Sequence, residues 1–104
     1  MATYFVGNIQ IHDREGYGGY EAGFMEVFQN FRGKLLAVDE NQKVIEGDWP
    51  ATRTVVVEFA SEKDAMAWYE SDAYQALKQK RVKASTCDAA LITGFPSESL
   101  SESS

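Results

Sequence analysis

The chain has 104 residues, the usual size of one domain and too short for a core plus an independent second module. Its apolar fraction of 44% and charged fraction of 25% are ordinary for a globular protein, but the formal net charge is −6 and the pI near 4.7. That balance argues against a phosphate-backbone partner, so no nucleic acid is expected. The nearest basic cluster, Lys78, Lys80, Arg81 and Lys83, joins no stripe and reads as a solvated helix end complementing the helix dipole.

Cys87 is the one cysteine, which excludes an intrachain disulfide framework and leaves no partner for a CxxC redox or zinc pair. Cytoplasm is the natural compartment. The opening residues MATYFVGNIQIHD lack a basic region followed by a sustained apolar run, and nothing approaches the ~20 apolar residues of a membrane span, so neither export nor insertion is expected.

In chain order, Thr3 to His12 alternate. Phe5, Gly7, Ile9 and Ile11 fall on one face, and Tyr4, Val6, Asn8, Gln10 and His12 on the other, which predicts a strand with one distinctly polar face. Asp13 is a candidate N-cap for an aromatic-rich amphipathic helix carrying Tyr17, Tyr20, Phe24, Val27, Phe28 and Phe31, with Gly33 as its stop. Gly16, Gly18, Gly19 and Gly23 weaken its first turns, which are expected to fray or hinge. Their spacing fits neither GxGxxG nor GxxxxGK[ST], so they are not a phosphate loop.

Lys34 to Val38 is a short apolar run, and Asp39 to Gln42 a polar turn before Val44, Ile45 and Glu46 resume extended structure, as a hairpin or bulged pair. Gly47, Asp48, Trp49 and Pro50 form a loop in which the proline biases Trp49 to an extended conformation. Arg53 to Phe59 is a β-branched and aromatic strand. Ser61 with Asp64 caps a helix bearing Ala65, Trp68 and Tyr69. The helical region breaks at Ser71, where Asp72 with Gln75 offers a second cap for a short helix carrying Tyr74 and Leu77. A last strand spans Thr86 to Phe95, and residues 96–104, acidic and Ser-rich, read as a disordered tail after a single domain over 1–95.

The order β-α-β-β-α-β, with an extra hairpin element and a split second helix, belongs to the α+β ferredoxin-like fold. Both helices then cover one face of a single antiparallel sheet. The other face is bare unless a partner covers it, and a homodimer is the simplest cover.

Tyr17 with Tyr20, Phe31-Arg32-Gly33, EGDWP (46–50), Arg53, Val57-Glu58-Phe59, AWYESDAY (67–74), Leu77 and Arg81 resemble a bacterial domain-of-unknown-function family of short α+β-barrel proteins. The resemblance covers Thr3 to Phe95, and its most specific piece is EGDWP, then Arg53, then AWYESDAY. It implies ferredoxin-like protomers whose sheets pair into a homodimeric α+β barrel, similar to cofactor-free monooxygenases of antibiotic biosynthesis and to muconolactone isomerases.

If two sheets pair, Asn8, Gln10 and His12 point to a shared interior, and Asp88 joins them if the alternation of the last strand places it there. His12 is the one side chain with an ordinary pKa near neutrality and hence the candidate general base, against a plain structural role at a strand end. Arg53 is a candidate to hold a carboxylate-bearing ligand, or else to pair with Glu46 or Asp48 and fix the loop. Glu58 lies on the opposite strand face from Arg53, as an interior acid or an edge residue facing solvent. Trp49 completes the candidate binding set. Trp68, Tyr69, Tyr74, Tyr17 and Tyr20 read as core, and Cys87 as a small buried hydrophobe.

Two functions follow. One is a cofactor-independent, metal-free enzyme acting on a small organic molecule, with a pocket at the sheet and dimer interior and His12 as base. The other is a non-catalytic ligand-binding or stress-associated homodimer.

Overall fold

The computed structural model describes residues 1–95; the stretch 96–104, read from its composition as a disordered tail, lies outside the described residues. The elements run β1 (Thr3–Ile11), α1 (Arg14–Phe28), β2 (Gly33–Asp39), β3 (Arg53–Phe59), α2 (Glu62–Tyr69), α3 (Asp72–Ala84) and β4 (Ser85–Thr93). Every strand pairing is antiparallel, in the order β2-β3-β1-β4, with β1 and β3 at the centre. This is the ferredoxin-like plan, its second helix split in two.

Local chemistry explains most boundaries. The Asp13 carboxylate accepts from the Gly16 amide at 3.1 Å and caps α1, and Ser61 accepts from the Asp64 amide at 3.1 Å to cap α2. Ser71 breaks the helical region as predicted and is itself the cap of α3, accepting from the Tyr74 amide at 3.1 Å. The predicted Asp72–Gln75 cap is thereby corrected by one residue. Gln75 instead donates to the Tyr69 carbonyl at 2.7 Å, tying the two helices across the break.

Two further expectations change. Val44 to Glu46 form no strand, because β1 and β2 already occupy both edges of β3; β2 pairs with β3 directly, with Leu36 bulged out between Leu35 and Ala37. Gly33 opens β2 rather than stopping α1, which ends at Phe28 with Gln29 as its cap. A methyl at Gly33 would lie 2.5 Å from Phe28 Cζ and 2.7 Å from Phe59 Cε1, so glycine is needed there for close approach.

The core lies between the sheet and the helices, around Trp68. Its ring meets Tyr74 at 4.4 Å between centroids, Phe5 at 5.2 Å, Phe59 at 5.6 Å and Phe28 at 5.9 Å. The expected hinge in α1 is absent, and the helix is continuous through its glycines. Gly16 and Gly23 face α3: a methyl at Gly23 would meet Leu77 Cδ1 at 2.8 Å, and one at Gly16 the capping Asp13 Oδ2 at 2.6 Å and then Ala84 Cβ at 3.3 Å. The glycines therefore let α1 and α3 approach closely.

Gly18 has nothing within 4 Å of an added methyl. Gly18→Ala is accordingly expected to stabilise the fold by about 0.5–1 kcal/mol, and Gly33→Ala to destabilise it by about 1–3 kcal/mol. Urea unfolding of both variants checks the pair; a destabilised Gly18→Ala, or a Gly33→Ala as stable as the parent, contradicts it.

Candidate functional site

Antiparallel register sorts the side chains by face. Ile9 on β1 lies between Arg53 on β3 and Cys87 on β4, and all three point under the helices. There, with Tyr17, Tyr20 and Glu21 of α1 and Trp68, Tyr74 and Arg81 of the split second helix, they line a cavity of about 120 Å³. Its walls are mainly aromatic and aliphatic, with a few polar groups converging on it, the usual make-up of a small-molecule site.

Arg53 is fully engaged as a charge. Its Nη1 lies 2.7 Å from Glu40 Oε2 and 3.1 Å from Glu21 Oε2, its guanidinium carbon is 5.4 Å from the centre of the Tyr17 ring, and Arg14 joins Glu40 at 3.0 Å. The pairing expected with Glu46 or Asp48 does not form. Arg53 points under the helices, whereas Asp48 and Trp49 lie over the opposite sheet face. Arg53 Nε is buried without a hydrogen-bond partner, as is Trp68 Nε1.

Arg81 is 7% exposed and has no carboxylate within 4 Å among the described residues; its guanidinium carbon is 5.9 Å from the Tyr20 ring centre. The Tyr20 and Tyr74 hydroxyls are hydrogen-bonded at 2.9 Å. Burial pushes the Tyr17 phenol up to about 12, against the pull of Arg53, and raises Tyr20 further, with the adjoining Tyr74 adding to the effect. Burial also raises the Cys87 thiol. At neutral pH these groups hold their protons and act as donors.

The residues singled out from the sequence divide across the sheet. Asn8, Gln10, Asp88 and Trp49 line a groove on the open face, where Asn8 sits opposite Asp88 and accepts from the Thr54 hydroxyl at 3.1 Å. His12, exposed just past β1, lies 2.8 Å from the Thr86 hydroxyl. Glu58 is on the open face near the far end of β1, accepting from the Tyr4 hydroxyl at 3.3 Å. Tyr4 and His12 are eight strand steps apart, about 27 Å at strand rise, so one ring-sized molecule does not touch both. Of the set, only Arg53 enters the cavity.

The residue that sequence reasoning missed is Arg81, grouped there with the solvated lysines. Its position seven after Tyr74 and four after Leu77, both buried on the inner face of α3, was the available signal. Its neighbours do stay outside: Lys78 lies 5.0 Å from the Tyr69 ring centre and donates to its hydroxyl at 3.3 Å. Among the described residues no cluster of side chains is arranged to hold a metal ion, and no helix is long and apolar enough to cross a membrane.

The family described as Domain of unknown function (DUF1330) matches residues 2–95. No curated protein matches the sequence. Among solved structures, a protein of unknown function from Rhodopseudomonas palustris superposes with a TM-score of 0.74 at 13% identity, over 90% of this chain and 82% of that one. SnoaB, a cofactor-independent oxygenase from Streptomyces nogalater, gives 0.66 at 14% identity over 90% and 93%. HapK from Hahella chejuensis gives 0.62 at 12% identity over 92% and 94%. At these identities the likeness is one of fold.

Hydrogen bonds from Arg14 and then Arg53 hold the Glu40 carboxyl below its ordinary range. A lowered folded-state pKa contributes stability that is present above the ordinary carboxylate value and lost as pH falls through the lowered one. Glu40→Gln should therefore cost up to about 1 kcal/mol at pH 7, as for other exposed ion pairs, with the difference from the parent closing between pH 5 and pH 3. Urea unfolding across that range measures it, and a pH-independent difference would rule out the ion pair as its source.

Proposed function

The chain belongs to the DUF1330 family, whose description names no reaction, and we propose from the site that it binds a small unsaturated organic molecule in the helix–sheet cavity and transforms it without a bound cofactor. The observation that carries this reading is the pairing of aromatic walls with unused donors. Arg81, with no carboxylate within 4 Å among the described residues, and the Tyr20–Tyr74 hydroxyl pair converge on the cavity beside rings able to stack on a planar guest. The shared fold with SnoaB supports the cofactor-independent class. The Arg81 guanidinium and the Tyr20–Tyr74 hydroxyl pair that line the cavity are the donors able to stabilise charge developing on a guest.

A second copy completes the proposal. The open face leaves Val6, Val56, Ala90 and Ile92 uncovered beside its polar groove, with Ile92 51% exposed. Laying two such faces together would bury them and enclose Asn8, Gln10, Asp88 and Trp49 with His12, the base only if the chemistry lies on this face and not in the cavity, and Glu58 further along. The lone thiol, Cys87, accords with a cytoplasmic location. The protonated state of Tyr17, Tyr20 and Cys87 favours a second reading, a non-catalytic or stress-associated binding dimer, because these lining groups are poor proton acceptors at neutral pH.

Native mass spectrometry of freshly purified protein is expected to show a retained small molecule, with occupancy lowered at least tenfold in Trp68→Phe at unchanged circular dichroism. If turnover is found, His12→Ala should leave it intact; loss of turnover there would move the chemistry to the open face. A protein that retains nothing and binds no aromatic small molecule would sink the cavity reading. Light scattering should give about twice the 11.6 kDa chain mass, and a stable monomer refutes the pairing.

A further inference from the structure

We infer that the molecule taken into this cavity is a monocarboxylic acid whose carboxylate is received by Arg81. The inference rests on the cavity reading above and adds the chemical class of the guest. Two guanidinium groups line the same cavity, and they are differently compensated. Arg53 has Glu40 at 2.7 Å and Glu21 at 3.1 Å; Arg81, 7% exposed, has no carboxylate within 4 Å among the described residues. A buried guanidinium keeps its charge at any working pH and is costly to bury unpaired. The Tyr20 face, 5.9 Å away, and the Tyr74 hydroxyl, near enough to accept from the fork, offset part of that cost, but both are neutral and neither balances the charge.

The other groups beside Arg81 are neutral, and Trp68 packs on Tyr74 with ring centres 4.4 Å apart. Trp68 Nε1 is buried and unpartnered, on a residue 1% exposed. The Tyr20 and Tyr74 hydroxyls share one hydrogen in their 2.9 Å contact, which leaves the second free to donate. A guanidinium fork with only neutral partners and a spare phenol hydrogen beside it, with no anion at either, form a site that a carboxylate would complete.

The rest of the cavity limits the guest to one acid group. Arg53 and Cys87 flank Ile9 on its two neighbouring strands, so their backbones are two strand spacings apart, about 10 Å. Arg53 lies over the Tyr17 ring and Arg81 over the Tyr20 ring, whose centres are 5.4 Å apart, so the two guanidinium groups occupy different parts of the cavity. The Arg53 side already holds Glu21 and Glu40, which repel a second carboxylate.

The test uses benzoate, benzamide and benzene-1,4-dicarboxylate as probes, with affinity read by calorimetry and location by the Trp68 indole N–H resonance, assigned by its persistence in Trp49→Phe. Benzoate is expected to bind at least tenfold more tightly than either of the others and to shift that resonance. Arg81→Met should bring benzoate and benzamide to within about threefold of each other while benzamide still binds. Should that variant fail to fold, Arg81→Lys, which keeps the charge and loses the fork, is expected to retain a reduced preference, and a preference equal to that of the parent overturns the assignment. Equal binding of benzoate and benzamide to the parent, or benzoate binding that leaves the Trp68 resonance unmoved, also overturns it while the cavity reading stands. Binding of none of the three overturns both.

Discussion

The packing of Trp68 between sheet and helices is the contact on which the rest of the structure depends. Its indole meets Phe5 of β1, Phe59 of β3, Phe28 of α1 and Tyr74 of α3, so one side chain touches both central strands and all but joins the helices around itself. The rings fill most of the space between the sheet and the helices but not all of it. The space left beside Trp68 is the cavity, and the same ring forms one of its walls. Core and candidate site are thus one construction.

The helices are positioned by small residues as much as by large ones. Gly16 and Gly23 bring α1 against Ala84 and Leu77 of α3, which places Tyr20 within hydrogen-bonding reach of Tyr74 and under the guanidinium of Arg81. At the other side Glu40, from the end of β2, gathers Arg14 and Arg53 and so ties the start of α1 to the sheet. A close helical contact and a surface ion cluster hold the two sides of the cavity.

Much of this was legible in the sequence because it is local. Asp13, Ser61 and the break at Ser71 are set by side chains reaching amides three residues away, and the faces of β1 and β3 follow from parity, which separates Arg53 from Glu58. What was not legible depends on partners far along the chain. Val44 to Glu46 have strand composition but no free edge of β3 to join. The helical glycines look weak until α3 is seen against them. Arg81 sits among lysines that stay in water, and only its alignment with Tyr74 and Leu77 turns it inward. The helix side of the sheet was read as filled core, and whether packing there leaves a void cannot be deduced from ring count.

The bulge at Leu36 carries a consequence for how copies of this protein meet. β2 is an outer strand, and its Leu35, Leu36 and Val38 are each more than a third exposed, a composition that invites another chain to extend the sheet sideways. The extra residue throws the ladder out of step midway along that strand, so an incoming strand finds no continuous row of amides and carbonyls to match. Lateral fibre-like growth is frustrated at that edge, which leaves β4 as the sheet's one outer strand with an unbroken ladder.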